Sequence, residues 1–244
     1  MSEPIVVEMM TREALLWRCL HGGPLTANSL EEAGPDGNVP FAVFRARNLR
    51  LLENLTDTYG ACAVAARMGE AFVGHLRFYP QAVREMAAPG QGLCMQQEFP
   101  GGPPDDLGSR AFPRIEEIGD RTLLVHCMMV AAEGPEGWAL RRQGIGTRLA
   151  RALIDWAATN GWRAIEATAY ASLPIIYTIS GQAGRGFWES LGFRLLRTER
   201  EPLLEKENDF VRKMRQEALG LGLDPASIAN KYVMRLDLSG RTSS

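Results

Sequence analysis

The sequence has little of what marks the specialised classes. No apolar run comes near the ~20 residues needed to cross a bilayer, and the start, Met1-Ser2-Glu3-Pro4, lacks the basic and apolar regions of a secretory leader. A cytoplasmic protein without membrane contact is the expectation. No charge sign dominates: 27 Lys+Arg stand against 29 Asp+Glu, a formal net charge of −2. That balance argues against a global pull toward nucleic acid, so no nucleic-acid partner is expected. Cysteine is scarce, and Cys19, Cys62, Cys94 and Cys127 form no Cys-x-x-Cys pair. Buried thiols fit this pattern better than disulfides. Cys19 and His21 resemble half a metal site, but zinc needs about four organised ligands, so no metal is expected. No internal repeat stands out.

What is present is ordinary globular material: 244 residues, 45% apolar and 23% charged. This suffices for one α/β domain with insertions or for two small domains. Residues 11–20 read as a short helix with Thr11 as N-cap. Phe44, Leu51, Leu52, Leu55 and Tyr59 recur at helical spacing, with Gly60 placed to end that helix. Residues 61–67 and 72–79 read as a hairpin about a short glycine-containing turn. Pro80 closes its second strand, and residues 81–119 read as a long surface insertion, a candidate substrate-covering flap.

From Arg121 the order becomes informative. Residues 122–131 are a near-continuous apolar run, as in a strand buried on both faces. A glycine-rich turn follows, then a helix with Leu149, Leu153, Trp156 and Ala157 on one face, Asn160-Gly161 as its stop, and a strand over 162–169. This is a βαβ unit. Residues 187–193 read as a helix stopped by Gly192, residues 203–219 as an amphipathic helix, and residues 231–238 as a last strand. The face of Phe210, Val211, Met214 and Ala218 packs on the core or builds a homodimer interface; the core is favoured.

The turn is Arg141-Arg142-Gln143-Gly144-Ile145-Gly146-Thr147. First-turn N–H groups lack intrahelical partners, and the helix dipole favours an anion there. Gly144 and Gly146 remove Cβ atoms that would block a pyrophosphate, and the two arginines add fork-shaped donors. The plainer alternative is a tight loop in which Gly144 only supplies a left-handed backbone. No Gly-Lys-Ser/Thr follows, and the dinucleotide pattern fails because Leu149 stands where Gly or Ala is required.

Arg141-x-x-Gly144-x-Gly146 resembles the pyrophosphate loop of the GCN5-related N-acetyltransferases, Arg/Gln-x-x-Gly-x-Gly/Ala, and its strand–turn–helix–strand context matches. Phe187-Trp188-Glu189-Ser190-Leu191-Gly192-Phe193 is similar to that family's second signature, Phe-Tyr-x-x-x-Gly-Phe. The resemblance covers roughly 61–238. It implies the acyl-CoA N-acyltransferase fold: a mixed, splayed α/β sheet flanked by helices and open near Met129 and Ile165. Residues 1–60 would form an N-terminal helical extension on the same domain, with insertions at 81–119 and 203–220. Acetyl-CoA is the implied cosubstrate, its pantetheine arm along Met128, Met129 and Val130. Its pyrophosphate would lie on Arg141, Arg142, Gln143, Gly144, Ile145, Gly146 and Thr147, and Trp188 is also implied as a cosubstrate-binding residue. The acetyl group would pass directly to an amine, on a small molecule or a peptide.

The chemistry needs a proton acceptor, because an alkylammonium with pKa near ~10.4 is seldom nucleophilic at neutral pH. His126, on the strand, and Glu133, just beyond it, are the candidates, each weighed against a core or surface role. A backbone N–H near Val130 would stabilise the oxyanion. The family's usual tyrosine acid is replaced by Trp188, whose indole has no useful acidity; Tyr177, Tyr170 or solvent would substitute. Adjacent strand residues point to opposite faces, so Cys127 and His126 are not expected to form a dyad. Two readings stand: an active N-acetyltransferase, and a non-catalytic acyl-CoA-binding module. A nucleotide-binding protein using the same turn is a weaker third.

Overall fold

The computed structural model describes residues 3–18, 20, 24–26, 41–87, 107–131, 140, 143–179 and 183–239, without the side chains of 41–44 and 177–179. Its strands are β1 (Ile5–Met9), β2 (Ala63–Met68), β3 (Ala71–Pro80), β4 (Thr122–Val130), β5 (Ala164–Ala169), β6 (Arg194–Arg200) and β7 (Asn230–Asp237). Its helices are α1 (Phe41–Tyr59), α2 (Gln81–Met86), α3 (Ile145–Thr159), α4 (Pro174–Ile179), α5 (Arg185–Ser190), α6 (Pro202–Glu205) and α7 (Asp209–Gly220). The seven strands form one mixed sheet in the order β1-β2-β3-β4-β5-β7-β6. All neighbours are antiparallel except β4 and β5, which run parallel. Only a crossover can join parallel neighbours, and α3 supplies it.

α3 lies across β1 to β4. Its buried face is Ile145, Leu149, Ala150, Leu153, Ile154 and Ala157. Gly74 on β3 lets the head of this helix settle on the strand: a Cβ there would stand 3.1 Å from Ile145 Cγ2 and 3.3 Å from Leu149 Cδ1. Farther along, Phe78 meets Trp156 at 5.1 Å between ring centroids. The other face of β3 is covered by residues 15–18 and α1. Buried Arg77 donates from Nη2 to the carbonyls of Leu16 and Arg18, both at 2.6 Å. Asn48 of α1 donates to Trp17 O at 3.2 Å. One buried cluster joins α1 (Leu51, Leu52, Leu55) to the sheet and α3.

Several expectations change here. Among the described residues of 11–20 there is no α-helix; a 3-10 turn covers only Arg12–Ala14, and Thr11 makes no side-chain cap. Leu15, Leu16, Trp17 and Leu20 are all buried, so burial rather than helical periodicity set their apolar character. β1, ahead of them, is an edge strand absent from the sequence reading. The surface insertion at 81–119 is also corrected for its described parts. Val83, Leu107, Phe112 and Ile118 are core residues, and Arg110 Nη1 donates to Met86 O at 2.9 Å, bringing the two ends of that excursion together. Residues 88–106 lie outside the description.

The helix expected over 203–219 is two helices. Residues 206–208 leave helical geometry, and Asn208 restarts the chain by accepting from Val211 N at 2.9 Å. Val211, Met214 and Ala218 bury their side chains in a second, smaller cluster with Leu173, Ile176 and Ile228. The excursion between β6 and β7 therefore packs on the segment that follows β5. Tyr170 Oη donating to Glu201 Oε2 (3.4 Å) and Ile175 N donating to Glu217 Oε2 (3.1 Å) fasten the two together. No described helix is long and apolar enough to cross a membrane.

Candidate functional site

β4 and β5 pair from Thr122↔Ala164 to Val125↔Ala167 and then part, although β4 continues to Val130 and β5 to Ala169. The parting starts at a bulge. Against β3, Val125 pairs with Phe78 and Cys127 with Arg77, which leaves His126 as an extra residue on β4. A bulge bends its strand and sharpens the local twist, so past His126 the strand follows β3 and leaves β5. Of the two residues expected to mark the opening, Met129 lies in the open part. Ile165 does not: it pairs with Leu123 where the strands are still joined.

Alternation decides which backbone groups face the gap. Ala131 N donates to Val73 O at 2.9 Å, and Met129 is the register partner of His75. In an antiparallel ladder a residue turns both its backbone groups to the same side, and its neighbours turn theirs away. Met129 and Ala131 therefore serve β3. Met128 and Val130 present their N–H and C=O to the gap, while Met129 contributes only a buried side chain.

The glycine turn lies at the head of this gap. Gly144 is the N-cap of α3, at φ +71°, and offers no side chain to the first-turn N–H groups. Its left-handed backbone is reason enough for a glycine. Gly146 is different: it is helical, and a Cβ there would stand 3.7 Å from both Met128 Cε and Phe187 Cε2, an ordinary contact. Alanine would fit and would favour the helix by about 0.5–1 kcal/mol. Neither backbone nor packing calls for glycine at 146. Ile145 buries its side chain and can offer only its N–H; Gln143 is exposed and Thr147 half-buried. Arg141, Arg142 and Glu133 lie outside the described residues.

Gly146 also joins the two sequence signatures, since Met128 of β4 and Phe187 of α5 converge on it. Trp188, the next residue, is packed between Phe187 and Phe193 at centroid distances of 5.0 and 4.9 Å and is 2% exposed. Its ring is core material, and its buried Nε1 has no hydrogen-bond partner among the described residues.

His126 is half-buried, its ring 5.4 Å from that of Tyr79. Cys127 Sγ stands 3.6 Å from His75 Nε2. His75 and Tyr79 lie on the β3 face turned away from α3, so His126 and Cys127 share that face. The expectation that they point oppositely is corrected, and the bulge is the cause: it interrupts the alternation on which that expectation rests. Tyr177 lies within α4, its side chain outside the description. Burial, and then Glu201, raise the Tyr170 phenol to about 12, which makes it a poor proton donor to a thiolate. His75, Arg77 and Tyr79 were missed from the sequence. The signal was present as three polar or aromatic residues at alternate positions of one apolar strand. No group of His, Cys, Asp and Glu able to hold a metal occurs among the described residues.

A mixed sheet of this order, with its parallel pair parted beside a glycine-headed helix, is the acyl-CoA N-acyltransferase fold. No protein-family model and no curated protein matches the chain in sequence. Solved structures to which it is similar include several acetyltransferases. An N-acetyltransferase from Staphylococcus aureus Mu50 is 12% identical with a TM-score of 0.48, over 97% of this chain and 99% of that one. A GCN5-related N-acetyltransferase from Kribbella flavida is 18% identical with a TM-score of 0.42, over 96% and 97%. A GNAT family acetyltransferase from Elizabethkingia anophelis, with acetyl-CoA bound, is 12% identical with a TM-score of 0.40, over 96% and 97%. At these identities and scores, residue roles rest on this chain's own geometry.

Proposed function

We propose that this chain is a GCN5-related N-acetyltransferase that moves an acetyl group from acetyl-CoA directly to the amine of a small molecule or peptide. The observation that carries the reading is the convergence of Met128, Gly146 and Phe187, from the parted strand, the glycine turn and the second signature, at the head of α3. Met128 and Val130 would hold the pantetheine arm by extending the ladder that β5 abandons. The N–H groups from Gln143 to Thr147, with Arg141 and Arg142, would hold the pyrophosphate. The Val130 N–H would stabilise the oxyanion.

His126 is placed at the bend, on the face away from α3, and would take the ammonium proton directly or through water. Glu133 and Tyr177 stay as secondary candidates for base and acid. A thiolate of pKa near ~8.5 departs without an acid, so Trp188 in the usual tyrosine position does not forbid turnover. The second reading, a module that binds acyl-CoA and transfers nothing, is motivated by Trp188 at that position and is the less supported of the two.

Isothermal titration with acetyl-CoA, CoA and ATP, beside an Arg142→Ala/Gly144→Asp variant, tests the site. Micromolar CoA binding lost in the variant supports it, and a folded protein that binds no CoA overturns it. Product formation across an amine panel then separates the enzyme from the binding module.

A further inference from the structure

One nucleophile on the face of β3 and β4 away from α3 has no part in direct transfer. Cys127 Sγ lies 3.6 Å from Nε2 of His75, whose side chain is wholly buried. Arg77 stands opposite Cys127 in register, its guanidinium fixed by the carbonyls of Leu16 and Arg18. An imidazole nitrogen at this distance gives the thiol a proton acceptor, as an activated nucleophile needs. The contrast with Cys62 is instructive. Cys62 is 1% exposed, accepts a hydrogen bond from Thr56 Oγ1 at 3.3 Å, and is pushed up to about 11 by burial, against the smaller opposing effects of Thr56 and Arg77. Cys127 keeps 9% exposure and sits on the bulge where β4 first leaves β5. It directly precedes Met128, whose backbone faces the gap.

We propose that Cys127 is an acyl-accepting nucleophile with His75 as its base, charged by the bound thioester when no amine is present. The proposal rests on the acyl-CoA reading above. The Cys127 thiol gives its proton to His75 Nε2, in the tautomer where that nitrogen accepts. Sγ attacks the thioester carbonyl, the bond between carbonyl carbon and coenzyme sulfur breaks, and the departing thiolate recovers the proton from His75. One thioester replaces another, so the step needs no oxidant and consumes no net proton. The acyl-cysteine can return its group to CoA or pass it to an amine.

The test incubates the full chain with acetyl-CoA and no amine, quenches in acid, and reads intact and peptide mass. The expected result is one acetyl group on the peptide carrying Cys127, removed by neutral hydroxylamine. Cys62→Ala keeps the label, Cys127→Ala abolishes it, and His75→Gln slows its appearance by about 100-fold, as loss of a general base does. Because His75 is wholly buried, CoA affinity is measured on every variant; if His75→Gln fails to bind CoA, the Cys127→Ala and Cys62→Ala pair decides. Wild-type protein that binds CoA but carries no acetyl group on Cys127 overturns this proposal and leaves the proposed function standing. Absence of CoA binding overturns both.

Discussion

Gly146 and Phe187 face each other at the head of α3: a Cβ on Gly146 would stand 3.7 Å from Phe187 Cε2, close enough to touch and too far to clash. Packing therefore tolerates a methyl group at this position. Alanine relieves the backbone entropy of a helical glycine and should raise stability by about 0.5–1 kcal/mol, or a few degrees in Tm for a chain of this size. The added methyl group would meet the Met128 and Phe187 side chains, at ordinary contact distance. Gly146→Ala is expected to melt higher than wild type and to keep its CoA affinity within about twofold. A larger loss of affinity would show that the Cβ side of this residue is where the cosubstrate lies.

His126 owes its position to the bulge, so its contribution should appear in the chemical step and not in cosubstrate binding. Its ring contacts Tyr79 on the face away from the glycine turn. His126→Gln is expected to lower kcat by roughly 100-fold or more, the usual range for a lost general base, with CoA affinity within about twofold. Single-turnover rates with saturating acetyl-CoA measure this directly. An unchanged rate would move the role to Glu133 or to solvent.

The central βαβ unit was legible because each of its elements has an unambiguous local pattern. β4 is an apolar run, α3 has one apolar face, and Gly161, at φ +81°, stops the chain where expected. The bulge at His126 was not legible. A strand covered on both faces has no alternation to interrupt, so an extra residue leaves no trace in its hydrophobicity. The Cys127–His75 contact spans 52 residues of chain, and no local rule anticipates it. β1 escaped because Ile5–Met9 is a five-residue edge strand with an exposed Val6 and Glu8, a weak pattern by length alone. The restart of α7 is a different case. Asn208-Asp209 is an ordinary N-terminal helix signal, but Leu203 and Leu204 extend the apolar pattern across it into a separate short helix.

High pH should expose three buried protons. Burial raises Tyr59 and Tyr170 from 10.0 to about 12 and Cys62 from 9.0 to about 11. Between the unfolded and folded values the native chain holds protons that the unfolded chain has released, so stability falls as pH rises through that window. Urea midpoints are expected to vary little on their account below about pH 9 and to drop steadily above it. Tyr59→Phe loses the hydroxyl that donates to Pro113 O at 2.8 Å, about 1 kcal/mol at neutral pH. Above pH 10 its gap to wild type should narrow, because the variant has one fewer proton to lose. A gap that stays constant to pH 11 would refute burial of the phenol.

Gly108 tests whether the far end of the 81–119 excursion is a fixed wall. A Cβ there would lie 2.7 Å from Leu51 N, 2.9 Å from Leu51 Cα and 3.0 Å from Arg50 C, all backbone atoms of α1 that cannot turn aside. The approach is sealed by Asn54 Nδ2, which donates to Gly108 O at 2.9 Å and to Arg110 O at 2.8 Å. Gly108→Ala must push the segment off the helix or distort the helix, and overpacking of this kind costs about 1–3 kcal/mol. Asn54→Ala removes the two bonds without a clash and should cost about 1–3 kcal/mol for the buried carbonyls it abandons. α1 also holds residues 15–18 through Asn48, and those residues cover the face on which His126 opens. Loosening the wall should therefore raise KM for the amine and leave CoA affinity unchanged. A rise in the CoA Kd of the same size would place the excursion on the cosubstrate side of the sheet.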